Sequence, residues 1–147
     1  MAPQLSEIRL RIYHFFIEKG RAPNASEIAT ELGLSTASVE AAYRQMGEEH
    51  VLVLRPGTLD IWMAMPFSAV PTRYRVTVGE HWWYANCAWD ALGIPALLGR
   101  EAQIVTDCPD CTEPLTIQVE PGALSGHSGV VHFAVPAAHW WDDIGFT

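Results

Sequence analysis

The chain has 147 residues, 49% hydrophobic and 18% charged, which suits the core of one ordinary domain or two small ones and is too low in charge for a disordered protein. Its net charge of −8 argues against a simple nucleic-acid binder, which needs a basic footprint to neutralise phosphates. No apolar run reaches the roughly 18–20 residues that span a bilayer, and the start, with Glu7 and alternating charge, does not read as a signal peptide, so a soluble cytoplasmic protein is expected.

The first part reads as helices. After Ser6, positions Ile8, Ile12, Phe15 and Phe16 fall on one face at helical spacing, and Gly20 ends the segment. Asn24 or Ser26 caps a second helix over 27–32, which stops at Gly33. Ser35 starts a third helix running to Met46, with Val39, Ala42, Tyr43 and Met46 inward, and the Gly33-Leu34-Ser35 turn is a helix-turn-helix signature. A β-hairpin follows, 51–54 and 59–63 around a turn at Pro56-Gly57. Three helices and a hairpin wing predict a winged-helix domain over 1–64. The third helix is a poor DNA reader, because Arg44 is its only basic residue and stands among Glu40, Glu48 and Glu49. A packing or lid role is the expectation, since a fold does not fix a function.

Residues 65–71 form a Pro-bounded connector. Tyr74, Val76 and Val78 then alternate with Arg73, Arg75 and Thr77 as a half-buried strand. A short helix begins near Cys87, and Gly93 with Pro95 is expected to kink or split it. Strands follow over 102–106 and 115–120, then a Gly/Ser-rich turn at 122–126 and a further strand over 129–135. Fold class is therefore α+β: the winged-helix three-helix domain, then a small, mainly antiparallel sheet domain with short helices over 65–147. The first part balances six Lys/Arg against eight Asp/Glu and the second three against nine, so neither is basic.

Candidate chemistry begins with Cys87 and Asp90, an i, i+3 pair at a helix start. Unpaired N–H groups there favour the thiolate, while a neighbouring carboxylate opposes it, a tension that suits a site where a proton is handed on. A soft nucleophile beside a proton carrier suits a soft electrophile such as a heavy metal bonded to carbon. A buried core cysteine with a solvated aspartate has the same spacing. Three cysteines, an odd count, do not describe a disulfide framework. The Cys108-Pro109-Asp110-Cys111 knuckle is half of a tetrahedral zinc site, a surface pair that captures metal ions, or an incidental hairpin turn. The further ligand candidates are His127, His132, His139 and Cys87, none at zinc-finger spacing. Two aromatic segments, His81-Trp82-Trp83-Tyr84 and His139-Trp140-Trp141-Asp142-Asp143, fit core packing with polar tips or the wall of an apolar pocket. No phosphate loop, nucleophile elbow or His-Glu-x-x-His motif occurs.

The segment Asn86-Cys87-Ala88-Trp89-Asp90-Ala91-Leu92 with Pro95-Ala96-Leu97-Leu98-Gly99-Arg100 resembles the active-site segment of organomercurial (alkylmercury) lyases. Cys108 sits where many of those enzymes carry a further cysteine, and the winged-helix start and the Trp140-Trp141-Asp142-Asp143-Ile144 segment resemble the family too. The resemblance implies protonolysis of a carbon–mercury bond to a hydrocarbon and Hg(II), a mercury-detoxification activity. It makes Cys87 the first mercury-binding thiol and Asp90 the proton carrier; Cys108 and Cys111, read from their own spacing, are the further candidate metal ligands. No organic cofactor is implied; the substrate is an organomercurial, and cellular thiols remove the Hg(II) product. The family's second catalytic cysteine lies downstream, and residues 112–147 contain none. Three expectations follow: a chain incomplete at its C-terminal end, substitution by Cys108 or Cys111, or a protein inactive as it stands. The competing functions are a non-catalytic thiol-based metal-binding protein of lyase ancestry and a metal-sensing winged-helix regulator.

Overall fold

The structure is a computed structural model and describes residues 3–126 and 129–145. Helix α1, Pro3–Lys19, buries Leu5, Ile8, Ile12, Phe15 and Phe16 on the face expected from their spacing. Gly20, at φ 69°, turns the chain out of it. Helix α2, Ala25–Leu32, is capped by Asn24 rather than Ser26. The Asn24 side chain accepts the Glu27 N–H at 3.0 Å while the Glu27 carboxylate accepts the Asn24 N–H at 2.9 Å, a reciprocal capping box. Helix α3, Thr36–Glu48, starts from Ser35 and buries Val39, Ala42, Tyr43 and Met46.

Eight strands among the described residues make one antiparallel sheet in the order β1-β2-β3-β5-β4-β6-β7-β8. They are β1 Val53–Leu54, β2 Ile61–Ala64, β3 Phe67–Ser68, β4 Tyr74–Val78, β5 His81–Ala85, β6 Ala102–Asp107, β7 Pro114–Glu120 and β8 Ala123–Ser125. The hairpin of the first part forms as β1 and β2, and β2 then pairs with β3, so the sheet runs on from it without a break. Two strands lie where the sequence shows none. Phe67 and Ser68 of the connector pair with Tyr84 and Ala85, and the aromatic segment His81–Ala85 is itself a strand paired with β4 along its whole length.

Helix α4, Ala88–Leu98, crosses from β5 to β6 and packs on β4 and β5. It runs unbroken through Gly93 and Pro95, against expectation. Burial of Ala91, Ile94 and Pro95 against the sheet outweighs the one ladder hydrogen bond that Pro95 forgoes. Gly93 permits this packing: a Cβ there would lie 3.3 Å from Cβ of Pro66.

The strand expected over 129–135 is absent. That segment leaves Val130 94% exposed and joins no strand among the described residues, while Ala123–Ser125, read as a turn, instead forms β8 against β7. A two-turn 3-10 helix, Ala137–Asp142, follows. One hydrophobic cluster takes in α1, α2, α3, the central strands and α4, from Leu5 to Ile104. Among the described residues no helix is long and apolar enough to cross a membrane.

Candidate active site

Strand β5 delivers the chain to the site. After Ala85, Cys87 stays extended, at φ −145° and ψ −179°, and becomes the N-cap of α4. Its sulfur takes the place of the usual capping oxygen, accepting the Asp90 N–H at 3.5 Å and the Trp89 N–H as well. The cap sets Asp90, in the first turn, beside the sulfur, close enough for carboxylate and thiol to act on one another's titration. The i, i+3 pair read from the sequence therefore lies side by side, joined by the Asp90 N–H to the sulfur.

Its electrostatics differ from expectation. Burial pushes the Cys87 thiol up, and the Asp90 charge adds to this, while the N–H groups of Asp90 and Trp89 pull the other way without overcoming it. Helix-start stabilisation of the thiolate loses to desolvation, so the sulfur keeps its proton in the free protein. Burial also raises the Asp90 carboxyl, offset in part by donors from Asn86 and Cys87.

Asn86 is the residue that sequence reasoning passed over. Its Nδ2 donates to Asp90 Oδ2 at 2.9 Å and to the Phe67 carbonyl at 3.3 Å, tying the carboxylate to β3. Its Oδ1 is buried without a partner among the described residues. The signal was the i, i+4 spacing of Asn86 and Asp90, hidden because Asn86 lies outside the helix. Tyr74 completes the surroundings: burial raises its phenol against the opposing charge of Arg73, and it lies at the start of β4 between β5, which leads to Cys87, and the end of β6.

Cys108 and Cys111 lie in the turn between β6 and β7. Cys108 is half-buried and Cys111 exposed. The structure brings Cys87 to Asp90 and Cys108 to Cys111, but among the described residues no three His, Cys, Asp or Glu side chains gather as a metal site. Of the histidine candidates, His139 is 2.9 Å from Asp142, His132 is exposed, and His127 lies outside the described residues.

The aromatic segments serve packing. Trp83 is buried and donates its indole N–H to the Phe16 carbonyl at 2.7 Å. Trp82 lies under Arg75, 4.6 Å from guanidinium to ring centre. Trp141 stacks on His50 at 3.8 Å, so the 3-10 helix rests on the turn after α3 and not on Cys87.

Comparison with known proteins gives the family and the fold. The alkylmercury lyase family model matches residues 67–147. Alkylmercury lyases from Bacillus cereus and Clostridium butyricum are each 37% identical over 59 residues, 40% of this chain and 27% of theirs. The chain thus matches about a quarter of the length of these curated relatives. A crystal structure of the mercury-bound form of MerB2 shares the fold, with a TM-score of 0.68 at 23% identity over 85% of this chain and 60% of that one. Since the matched span takes in Cys87, Asp90, Cys108 and Cys111 and exceeds half of the sequence, the chain belongs to the alkylmercury lyase family.

Proposed function

We propose that Cys87 and Asp90 cleave a carbon–mercury bond by protonolysis. The observation that carries this reading is the meeting of Cys87 and Asp90 at the start of α4, with the Asp90 N–H on the sulfur at 3.5 Å and the Asn86 amide on the carboxylate at 2.9 Å. On binding an organomercurial cation, the Cys87 thiol passes its proton to Asp90 and its sulfur bonds mercury. Asp90, held by the Asn86 amide, then returns the proton to the carbon. The electron pair of the Hg–C bond becomes the new C–H bond, the hydrocarbon leaves, and mercury stays Hg(II). Thiolate is the soft ligand that such an ion prefers. A buried carboxyl with a raised pKa suits a group that must hold a proton briefly. The remaining mercury coordination falls to small cellular thiols, consistent with action in the reducing cytoplasm. No organic cofactor enters.

We read residues 65–147 as the lyase-like part and 1–64 as a winged-helix-like module that packs against it. Arg44, the sole basic residue of α3, lies 3.5 Å from Glu40, which favours packing over reading of nucleic acid. Incubation with phenylmercury acetate and excess thiol should release benzene, measured by gas chromatography, and Cys87→Ser and Asp90→Ala should each abolish release. Benzene production surviving in Cys87→Ser would overturn the mechanism.

A further inference from the structure

The Cys108-Pro109-Asp110-Cys111 turn has no part in the proton transfer, yet it is built around its sulfurs. It tips the β6–β7 hairpin, just beyond the Asp107–Pro114 pair. The Cys108 N–H donates to the Glu113 carbonyl at 2.9 Å, and the Thr112 N–H donates to the Cys108 carbonyl at 2.8 Å. Thr112 closes the turn at φ 59°, a left-handed conformation that a β-branched residue adopts only when its surroundings compel it. The closed turn keeps Cys108 and Cys111 three residues apart at the hairpin tip, with Cys111 exposed.

Two thiols in one tight turn, one of them exposed, offer two soft ligands whose combined charge as thiolates cancels that of a divalent cation. Tetrahedral zinc needs four ligands, and among the described residues not even a third is at hand. A soft ion content with two thiolates fits better. The position matters as well. β5 and β6 flank β4 on opposite sides, with Tyr74 opposite Ala85 and Arg75 opposite Val105. Cys87 and Cys108 therefore leave the same end of the sheet, two strand spacings or about 10 Å apart.

We propose that Cys108 and Cys111 form a separate two-thiolate site for a soft, low-coordinate cation, Hg(II), and that it receives the ion from Cys87 by thiol exchange. In that exchange two Hg–S bonds, to Cys87 and to a small thiol, break, and two form, to Cys108 and Cys111. Two protons pass from the incoming to the departing sulfurs, and mercury remains Hg(II). The source of the ion rests on the lyase reading; the dithiol site does not.

The test supplies mercuric chloride directly to the reduced full chain in excess 2-mercaptoethanol, with mercury retained after desalting measured by elemental mass spectrometry. Cys87→Ser should retain one ion per chain, and Cys87→Ser/Cys111→Ser should retain none. Because Cys111 is exposed, its replacement leaves the fold intact, which circular dichroism verifies. Equal retention by the two variants, or none by Cys87→Ser, would overturn the site. In a second arm, wild-type protein is loaded with phenylmercury, and after benzene release the mercury should map to the peptide holding 108–111. Benzene release with mercury still on Cys87 would overturn the exchange, whereas no benzene at all would sink the lyase reading and leave the first arm to decide the site.

Discussion

Replacing Asn86 with alanine separates the carboxylate's alignment from the fold's stability. The variant loses a hydrogen bond of 2.9 Å to Asp90, worth about 1.5–3 kcal/mol, and one of 3.3 Å to the Phe67 carbonyl, worth about 0.5–1.5 kcal/mol. It also removes Oδ1, whose burial without a partner costs about 1–3 kcal/mol. These terms oppose each other and at mid-range leave a net loss of about 1 kcal/mol, or roughly 2–4 °C in Tm for a chain of this size. The carboxyl, in contrast, responds in one direction only. Asn86 donates to the charged form, so its loss favours the protonated acid and raises the Asp90 pKa further. Asp90 must be ionised to accept the Cys87 proton, so the acid limb of the kcat/KM profile should move to higher pH. At 1.36 kcal/mol per tenfold, and halving the bond energy for partial exposure, the move is about one pH unit. Carbon-13 NMR of the side-chain carboxyl reports the same titration without turnover. An acid limb that stays fixed or moves down would refute the role of Asn86, and a Tm loss beyond about 8 °C would show that its amide supports the fold instead.

Alkylation with iodoacetamide near neutral pH should modify Cys108 first and Cys87 last, since backbone donors favour the Cys108 thiolate and burial disfavours that of Cys87; peptide mass mapping gives the order. Ile94→Ala, at a fully buried position on α4, should cost about 2–5 kcal/mol in urea unfolding, and a loss below about 1 kcal/mol would contradict the packing of that helix. Trp83→Phe should cost only about 1 kcal/mol from the lost hydrogen bond, because the Phe16 carbonyl keeps the Gly20 N–H at 2.9 Å. Arg21, with the Asn24 N–H, holds the Glu27 carboxyl down at about 2. Its folded value lies below the ordinary one, so its contribution is present above about pH 4.5 and is lost as pH falls through about 2. Glu27→Gln should flatten that part of a pH–Tm curve, by about 0.5–1 kcal/mol once solvent screening is allowed for.

What the sequence made legible was what local chemistry decides. Helical spacing, Asn24, Ser35 and the two glycines, Gly20 and Gly33, marked α1 to α3 because caps and periodicity act within a few residues. The Cys87–Asp90 pairing was visible for the same reason. Strand β3 was not, since Phe67 and Ser68 are a strand only because β2 and β5 lie on either side. Trp82 and Trp83 hid the alternation of β5, although the Gly79-Glu80 turn before it was a hairpin signal. Val130, Val131 and Phe133 misled in the other direction: apolar composition suggests a strand, but no neighbouring edge takes the segment up. The balance of thiol electrostatics was equally out of reach, because the spacing shows the helix start while burial depends on the whole sheet.

Phe67 reaches farther than a two-residue strand suggests. Its ring stacks on Phe16 of α1 at 5.4 Å, its neighbour in space Trp83 is tied to the Phe16 carbonyl, and its own carbonyl receives the amide that steadies Asp90. The first helix, with no reactive group near the sulfur, is thereby a footing for the carboxylate. Drift in the apolar face of α1 would be felt as misalignment at the site before it was felt as unfolding. Selection on the chemistry must therefore reach back through the aromatic stack to the opening turns of the chain.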